Sequence, residues 1–266
     1  MFEGTVQTKH LRAGLLKVEV HPSRAAAGLA AARAAATALT GLAAARDSIA
    51  VIFATGASQF ETLAALTSME NLPWTQVRGF HMDEYVGIAA DHPASFRRYM
   101  RERLVSKVVM SEFFEMDGNA PDPESTAQEY AERLRRADPQ LCLLGIGENG
   151  HLAFNDPDAA DFTDPVDAKI VRLDDACRRQ QVAEGWFAGI DDVAESAITL
   201  TIPTLMRVPK LIASVPGIRK AAIVRRTLFG PISTSCPATI LRTHPDVTVY
   251  LDPESASALD QPPDFA

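Results

Sequence analysis

Short, continuous apolar runs alternate with longer stretches patterned as helices along the 266-residue chain. Residues 15–20, 48–54 (SIAVIFA), 77–81, 113–116, 141–145, 197–202 (AITLTI), 211–215 and 247–251 read as strands. Residues 25–46, dense in alanine, and 59–69, 95–107, 123–137 and 218–229 read as helices. Strands alternating with helices predict an α/β fold with a mainly parallel sheet flanked by helices on both faces. No stretch rich in Pro, Gly and Ser divides the sequence and no internal repeat is present, so residues 1–266 are read as one domain. The tail from Asp260 (DQPPDFA) is expected to fray.

Ligands of such folds bind beyond the carboxyl ends of the strands, and three post-strand segments are chemically unusual. Thr55, Gly56, Ala57 and Ser58 make a small-residue turn between a strand and a helix. Such a turn presents backbone amides at a helix N-terminus, which favours a phosphate or carboxylate. Any tight strand-to-helix turn wants the same residues, so alone it divides evenly between the two readings. The segment HMDEYVG (81–87) sets Asp83 and Glu84 side by side at a strand end. Burial raises a carboxyl's pKa toward general-base use, but an acid in this place more often caps a helix or pairs with an arginine.

The third segment, LGIGENGHLAFNDP (144–157), contains G-x-G-x-x-G after a strand. The dinucleotide-binding form of that pattern needs a helix to begin at the glycines. Here Asn155 to Pro157 would break a helix started at Gly150, so nucleotide binding is rejected. A histidine on a glycine-rich loop, with Asp156 five residues on, has the form of a proton-transfer group and its orienting carboxylate. A structural histidine bonded to backbone is the plainer alternative; the glycines and short polar residues around His151 weigh against it. No second histidine stands at ligand spacing, so no metal is expected.

A formal net charge of -8, with no compensating cluster of Lys and Arg among aromatics, argues against a nucleic-acid surface. An anionic ligand stays compatible, because phosphate sites depend on local amides and a few cations. The first residues lack a basic stretch followed by an apolar run, so no secretory signal is expected. The alanine-rich segment contains Arg33, Thr37 and Thr40 and reads as a packed helix, not a membrane span. Cys142, Cys177 and Cys236 are widely spaced without a C-x-x-C pair, which fits a reducing compartment. The expectation is a cytoplasmic protein with a small-molecule ligand and no nucleic-acid or membrane partner; homo-oligomers are left open.

FHMDEYVGI (80–88), GNAPD (118–122) and GIGENGHLAFNDP (145–157) resemble, in order and spacing, motifs of the glucosamine-6-phosphate deaminase (isomerase) family. The TGAS turn, HPASF (92–96), GIRKA around Lys220 and the ILRTHPDVTVYLD end resemble it too, so the likeness covers nearly the whole chain. The related 6-phosphogluconolactonases share the glycine-rich loop but typically continue after the histidine into Ser-Leu-Phe-Pro, where this chain reads Leu-Ala-Phe-Asn-Asp-Pro. The resemblance implies a Rossmann-like α/β single domain and a sugar-phosphate enzyme without cofactor or metal. It would convert glucosamine 6-phosphate and water into fructose 6-phosphate and ammonia, a hydrolase-like deaminase and isomerase of amino-sugar catabolism. It implies Asp83 as the base between C2 and C1, and His151 as the group that opens the pyranose ring, assisted by Asp156; Asn149 and Glu148 on the same loop are further candidates for the catalytic set. Thr55, Gly56, Ala57, Ser58 and Lys220, with Gly147 and Gly150, would hold the sugar phosphate, and residues 162–186 stand where a lid is placed.

Three positions depart from that pattern. Asn149 stands for an Asp, so Asn149→Asp is expected to raise ring opening. Asp156 stands for a longer Glu. Gly185 stands for a phosphate-binding Arg, with Arg178 or Arg179 as nearby replacements. A lactonase using the same histidine, and a non-catalytic sugar-phosphate sensor, are the competing functions.

Overall fold

A computed structural model describes residues 7–260. From the N-terminus run β1 (Lys9–Ala13), β2 (Leu16–Val20), α1 (Arg24–Ala43), β3 (Ile49–Phe53), α2 (Phe60–Ser68), β4 (Val77–His81), β5 (Asp83–Tyr85), α3 (Phe96–Met100) and β6 (Glu112–Phe114). There follow α4 (Pro123–Ala137), β7 (Leu141–Leu144), β8 (Ala168–Arg172), α5 (Asp175–Ala183), β9 (Ser196–Leu200), α6 (Ile202–Met206), β10 (Lys210–Ser214), α7 (Ala221–Phe229) and β11 (Val247–Leu251). Among the described residues eight strands form one sheet in the order β1-β2-β11-β10-β7-β3-β4-β6, in which only the β1–β2 hairpin is antiparallel.

The continuous apolar runs have a direct cause: both faces of the sheet are covered. Ile49, Val51 and Phe53 of β3 share a core with Ala31, Ala35 and Leu39 of α1. Ala50 and Ile52 of the same strand share the opposite core with Ala131 and Leu134 of α4. By length and composition α1 could cross a membrane, but Ala27, Gly28, Ala31, Ala32, Ala35 and Leu39 are buried within the fold. A Cβ on Gly28 would lie 2.4 Å from the Glu61 Cβ, so only glycine lets α1 approach α2 this closely.

The structure corrects the sequence expectation in two places. The apolar run at 197–202 does not join the main sheet. Its strand, β9, pairs antiparallel with β5 and β8 in a separate three-stranded sheet, and Ile202 and Pro203 already begin α6. The strands β1, β5 and β8 and the helix α5 were not anticipated, because they are short and polar: β5 is Asp-Glu-Tyr, and β8 carries Lys169 and Arg172. The tail expected to fray begins at Asp260, and its residues 261–266 lie outside the described residues.

Strands β3, β4 and β6 step outward in chain order, whereas β7 returns to the other flank of β3 and is followed outward by β10 and β11. The reversal between β3 and β7 parts the loops at their carboxyl ends, which is where an open α/β sheet offers a crevice.

Candidate active site

The loops leaving β3, β4, β7 and β10 enclose a cleft of about 290 Å³ at that reversal. This is the small end of ligand-pocket sizes and suits a monosaccharide derivative. Two of its walls are built alike. After β3, Gly56 (φ 87°) leads through a 3-10 turn, Ala57–Gln59, into α2; after β10, Gly217 (φ 96°) leads through Ile218–Lys220 into α7. Nothing crowds a Cβ at either glycine, so each is required for its left-handed backbone and not for space. Thr55, Gly56, Ala57 and Ser58 line the cleft on one side and Lys220 on the other. In the second turn the Gly217 amide already donates to Asp252 and the Ile218 amide to Glu254. That turn offers its lysine instead. Burial lowers the Lys220 pKa, and the charges of Glu184 and Glu148 oppose the shift.

Beyond β7 the glycine-rich loop continues without forming a helix. It holds His151 with Nδ1 2.8 Å from Asp156 Oδ1. A carboxylate only accepts, so Nδ1 carries a proton, and Nε2 is the acceptor whenever the ring is neutral. The shorter acid at 156 still reaches the ring, because a tight turn pairs Leu152 with Asn155 and folds the loop back. Burial by itself would raise the Asp156 pKa. The charge and hydrogen bond of His151, with the amides of Asn149 and Asp174, outweigh it and hold the carboxyl below its usual value.

Four loop residues have other tasks than the sequence assigned them. Gly147 lines the cleft, but its amide donates to the His151 carbonyl at 3.0 Å. A Cβ there would lie 2.2 Å from His151 Nε2, so this glycine makes room for the imidazole and is not a substrate donor. Gly150 (φ 91°) faces the core, where a Cβ would lie 2.8 Å from Cys236 Sγ, and it does not line the cleft. Glu148 turns away to pair with Arg219 at 3.2 Å. Asn149 also stands outside the cleft: its Oδ1 accepts from the His151 amide, and its Nδ2 donates to Asp156 at 2.9 Å and Asp174 at 3.0 Å. An aspartate at 149 would replace that donor by an acceptor between two carboxylates, which removes the premise of a gain from Asn149→Asp.

Asp83 opens β5 and lines the cleft. Its Oδ1 is buried without a hydrogen-bond partner. Burial, and then the charge of Glu84, push its pKa well up. Glu84, the next residue of the strand, points to the opposite side and is fully buried. It accepts from Ser95 Oγ at 2.8 Å, from the Phe96 and Arg97 amides at 3.0 Å and from Arg97 Nε at 3.2 Å. One carboxylate of the pair therefore caps α3 and pairs with an arginine, while the other faces the cleft. Beneath them His81 is buried and neutral, its pKa pushed down to about 3 by desolvation. GNAPD and HPASF supply helix caps, Asp122 for α4 and Ser95 for α3, and Phe96 of the second motif also lines the cleft.

Arg24, Gln180, Gln181, Glu184 and Arg219 also line the cleft and were not foreseen. Arg219 had a signal in its place beside Lys220. Arg24 had none, because it reaches the cleft from the first turn of α1, far along the chain from the other lining residues. Arg178 donates to the carbonyls of Ile190 and Val193, and Arg179 pairs with Asp175 at the surface. Neither lines the cleft, so the cations that could supplement Lys220 are Arg24 and Arg219. Among the described residues one group has metal-ligand proximity: atoms of His151, Asp156 and Cys177 lie within 4.8 Å of one another. Burial raises the Cys177 pKa, and the charges of Asp156 and Asp174 add to this, so the thiol stays protonated and the group is a hydrogen-bond network as it stands.

Residues 22–250 match the model of a family described as glucosamine-6-phosphate isomerases/6-phosphogluconolactonase. Among similar proteins, a glucosamine-6-phosphate deaminase of Exiguobacterium sibiricum is 39% identical over 181 residues, 67% of this chain and 69% of the relative. One of Listeria welshimeri is 37% identical over 206 residues, 77% of this chain and 86% of the relative. A solved structure of a monomeric glucosamine-6-phosphate deaminase superposes with a TM-score of 0.84 at 31% identity, covering 91% of this chain and 99% of that one. A 6-phosphogluconolactonase of Thermotoga maritima shares the fold, with a TM-score of 0.72 at 19% identity, covering 88% of this chain and 98% of that one.

Proposed function

The chain belongs to the family of glucosamine-6-phosphate isomerases and 6-phosphogluconolactonases, and on that premise we propose that it converts glucosamine 6-phosphate and water into fructose 6-phosphate and ammonia. The observation that carries this reading is the unpartnered Asp83 Oδ1, buried in the same cleft as an imidazole whose Nδ1 is tied to Asp156. A buried carboxyl with no partner is costly to ionise. The ammonium of an amino sugar, bound beside it, favours the carboxylate that the chemistry needs.

His151 Nε2 takes the proton of the sugar's O1 hydroxyl and delivers it to the ring oxygen. The C1–O5 bond breaks and C1 becomes an aldehyde. The Asp83 carboxylate then removes the C2 proton and returns it to C1, while a proton passes from the C2 ammonium to O1, so that C1 becomes a hydroxymethyl group and C2 an iminium. Water hydrolyses that iminium to the ketone and ammonia, and this is the hydrolytic part of the reaction. The turn Thr55–Ser58 and Lys220 hold the phosphate, whose remote binding energy fixes C1 and C2 against the two proton-transfer groups. Three buried, unpaired cysteines support a cytoplasmic site of action.

The test is an assay of the purified protein for ammonia and fructose 6-phosphate, run beside hydrolysis of 6-phosphogluconolactone. Turnover of glucosamine 6-phosphate is expected. Folded protein that leaves both glucosamine and galactosamine 6-phosphate untouched while opening the lactone would replace this reading with the lactonase one.

A further inference from the structure

Asn149 is an amide held in one orientation. Its oxygen accepts from the His151 amide, and the two N–H groups of Nδ2 are divided between Asp156 Oδ1 and Asp174 Oδ2. Turning the amide over would set its oxygen against two carboxylates and its N–H groups against a donor. Asp174 is the N-cap of α5, where its Oδ1 accepts from the Cys177 amide at 2.6 Å. One carboxylate thus joins two things: the helix that supplies Gln180 and Gln181, and at its C-cap Glu184, to the cleft wall, and the amide that braces Asp156 against His151. Helix α5 grips the same loop a second time, through Gln180 Oε1 and the Glu148 amide at 3.0 Å.

Resting on the reading of His151 and Asp156 as the ring-opening pair, we propose that Asp174 is a positioning residue for the reaction. It fixes Asn149, Asn149 fixes Asp156, and the aim of the imidazole is thereby tied to the seating of α5. Asp174 does not line the cleft; it acts only through these side chains. The lowered pKa of Asp156 agrees with this arrangement, since the Asn149 amide and the backbone of Asp174 are among the groups that offset its burial.

Asp174→Ser keeps a side chain able to cap α5 and takes the carboxylate away from Asn149. We expect kcat to fall about 10- to 100-fold, with KM for glucosamine 6-phosphate and the melting temperature close to those of the parent. The downfield proton resonance of the His151 Nδ1–H bonded to Asp156 should broaden or move upfield in the same variant. A merely structural Asp174 would move the melting temperature and leave kcat and the resonance unchanged, and that result overturns the proposal. Asn149→Asp is the second variant. Its turnover should fall and be partly regained at lower pH, where one of three crowded carboxyls is protonated; turnover at or above the parent's overturns the proposal. If the parent turns over no amino-sugar phosphate, the functional reading fails, and the resonance alone decides the role of Asp174.

Discussion

Asp83 and Asp156 are both buried aspartates serving one cleft, with 6% and 1% of their surface exposed, yet their surroundings drive them in opposite directions. On the floor after β4, Asp83 has an unpartnered oxygen and the charge of Glu84 beside it, and its pKa is raised. Behind the glycine-rich loop, Asp156 receives an imidazole N–H and an amide N–H, and its pKa is lowered. Burial alone is the same unfavourable influence on both; the hydrogen-bond donors decide the sign. Two acids pushed apart in this way can divide the work of one reaction, one exchanging a proton with carbon and the other holding an imidazole in place.

The largest effect expected from breaking this contrast is that of Asp83→Asn. The variant keeps the shape of the floor and removes the base, so kcat should fall about 10³-fold or more with KM little changed. A smaller effect is expected from Asp156→Asn, which sets an NH2 group among the donors of Asn149 and His151. Loss of imidazole alignment should lower kcat about 10²-fold in steady-state assays. Equal losses in the two variants would mean that the aspartates share one role.

The smallest and sharpest effect is on stability, where the two acids should give opposite signs. A raised folded-state pKa stabilises the protein below the unfolded value of 3.8, and that stability is lost as pH rises through the folded value. The substituted amide stays neutral at every pH, so Asp83→Asn should melt above the parent near neutral pH, and the gap should close in acid. For Asp156 the lowered pKa gives stability present above 3.8 and lost as pH falls through the folded value. Asp156→Asn should therefore melt below the parent at neutral pH and converge with it in acid. Thermal melts across pH, at roughly 2–4 °C per kcal/mol, measure both differences. Gaps of the same sign would mean that the donors around Asp156 do not outweigh its burial.

What could be read along the chain depended on how local its cause was. His151 and Asp156 lie on one loop, and the glycines that give the loop its path are their neighbours, so the pair was visible. The likeness in sequence pointed to Asp83 as the base, but nothing local distinguished it from Glu84. The choice rests on Ser95 and Arg97, which come from another element and claim Glu84 for themselves. Asn149 was misjudged for the same reason. Its meaning comes from Asp174, 25 residues away, which supplies the acceptor for its second N–H.

The sequence by itself determined the alternation of strands and helices, the turn at Gly56 and the loop that carries the histidine. Hydrophobic period and backbone freedom are properties of neighbouring residues, and they act before the chain has closed on itself. Only the tertiary structure decided which carboxyl is left without a donor and which is surrounded by them, that Arg24 and Arg219 reach the cleft, and that β9 supports the small sheet bearing Asp83. Each of those outcomes depends on groups brought together from distant elements, and the cost of leaving a buried charge unpaired is fixed only once those groups have arrived.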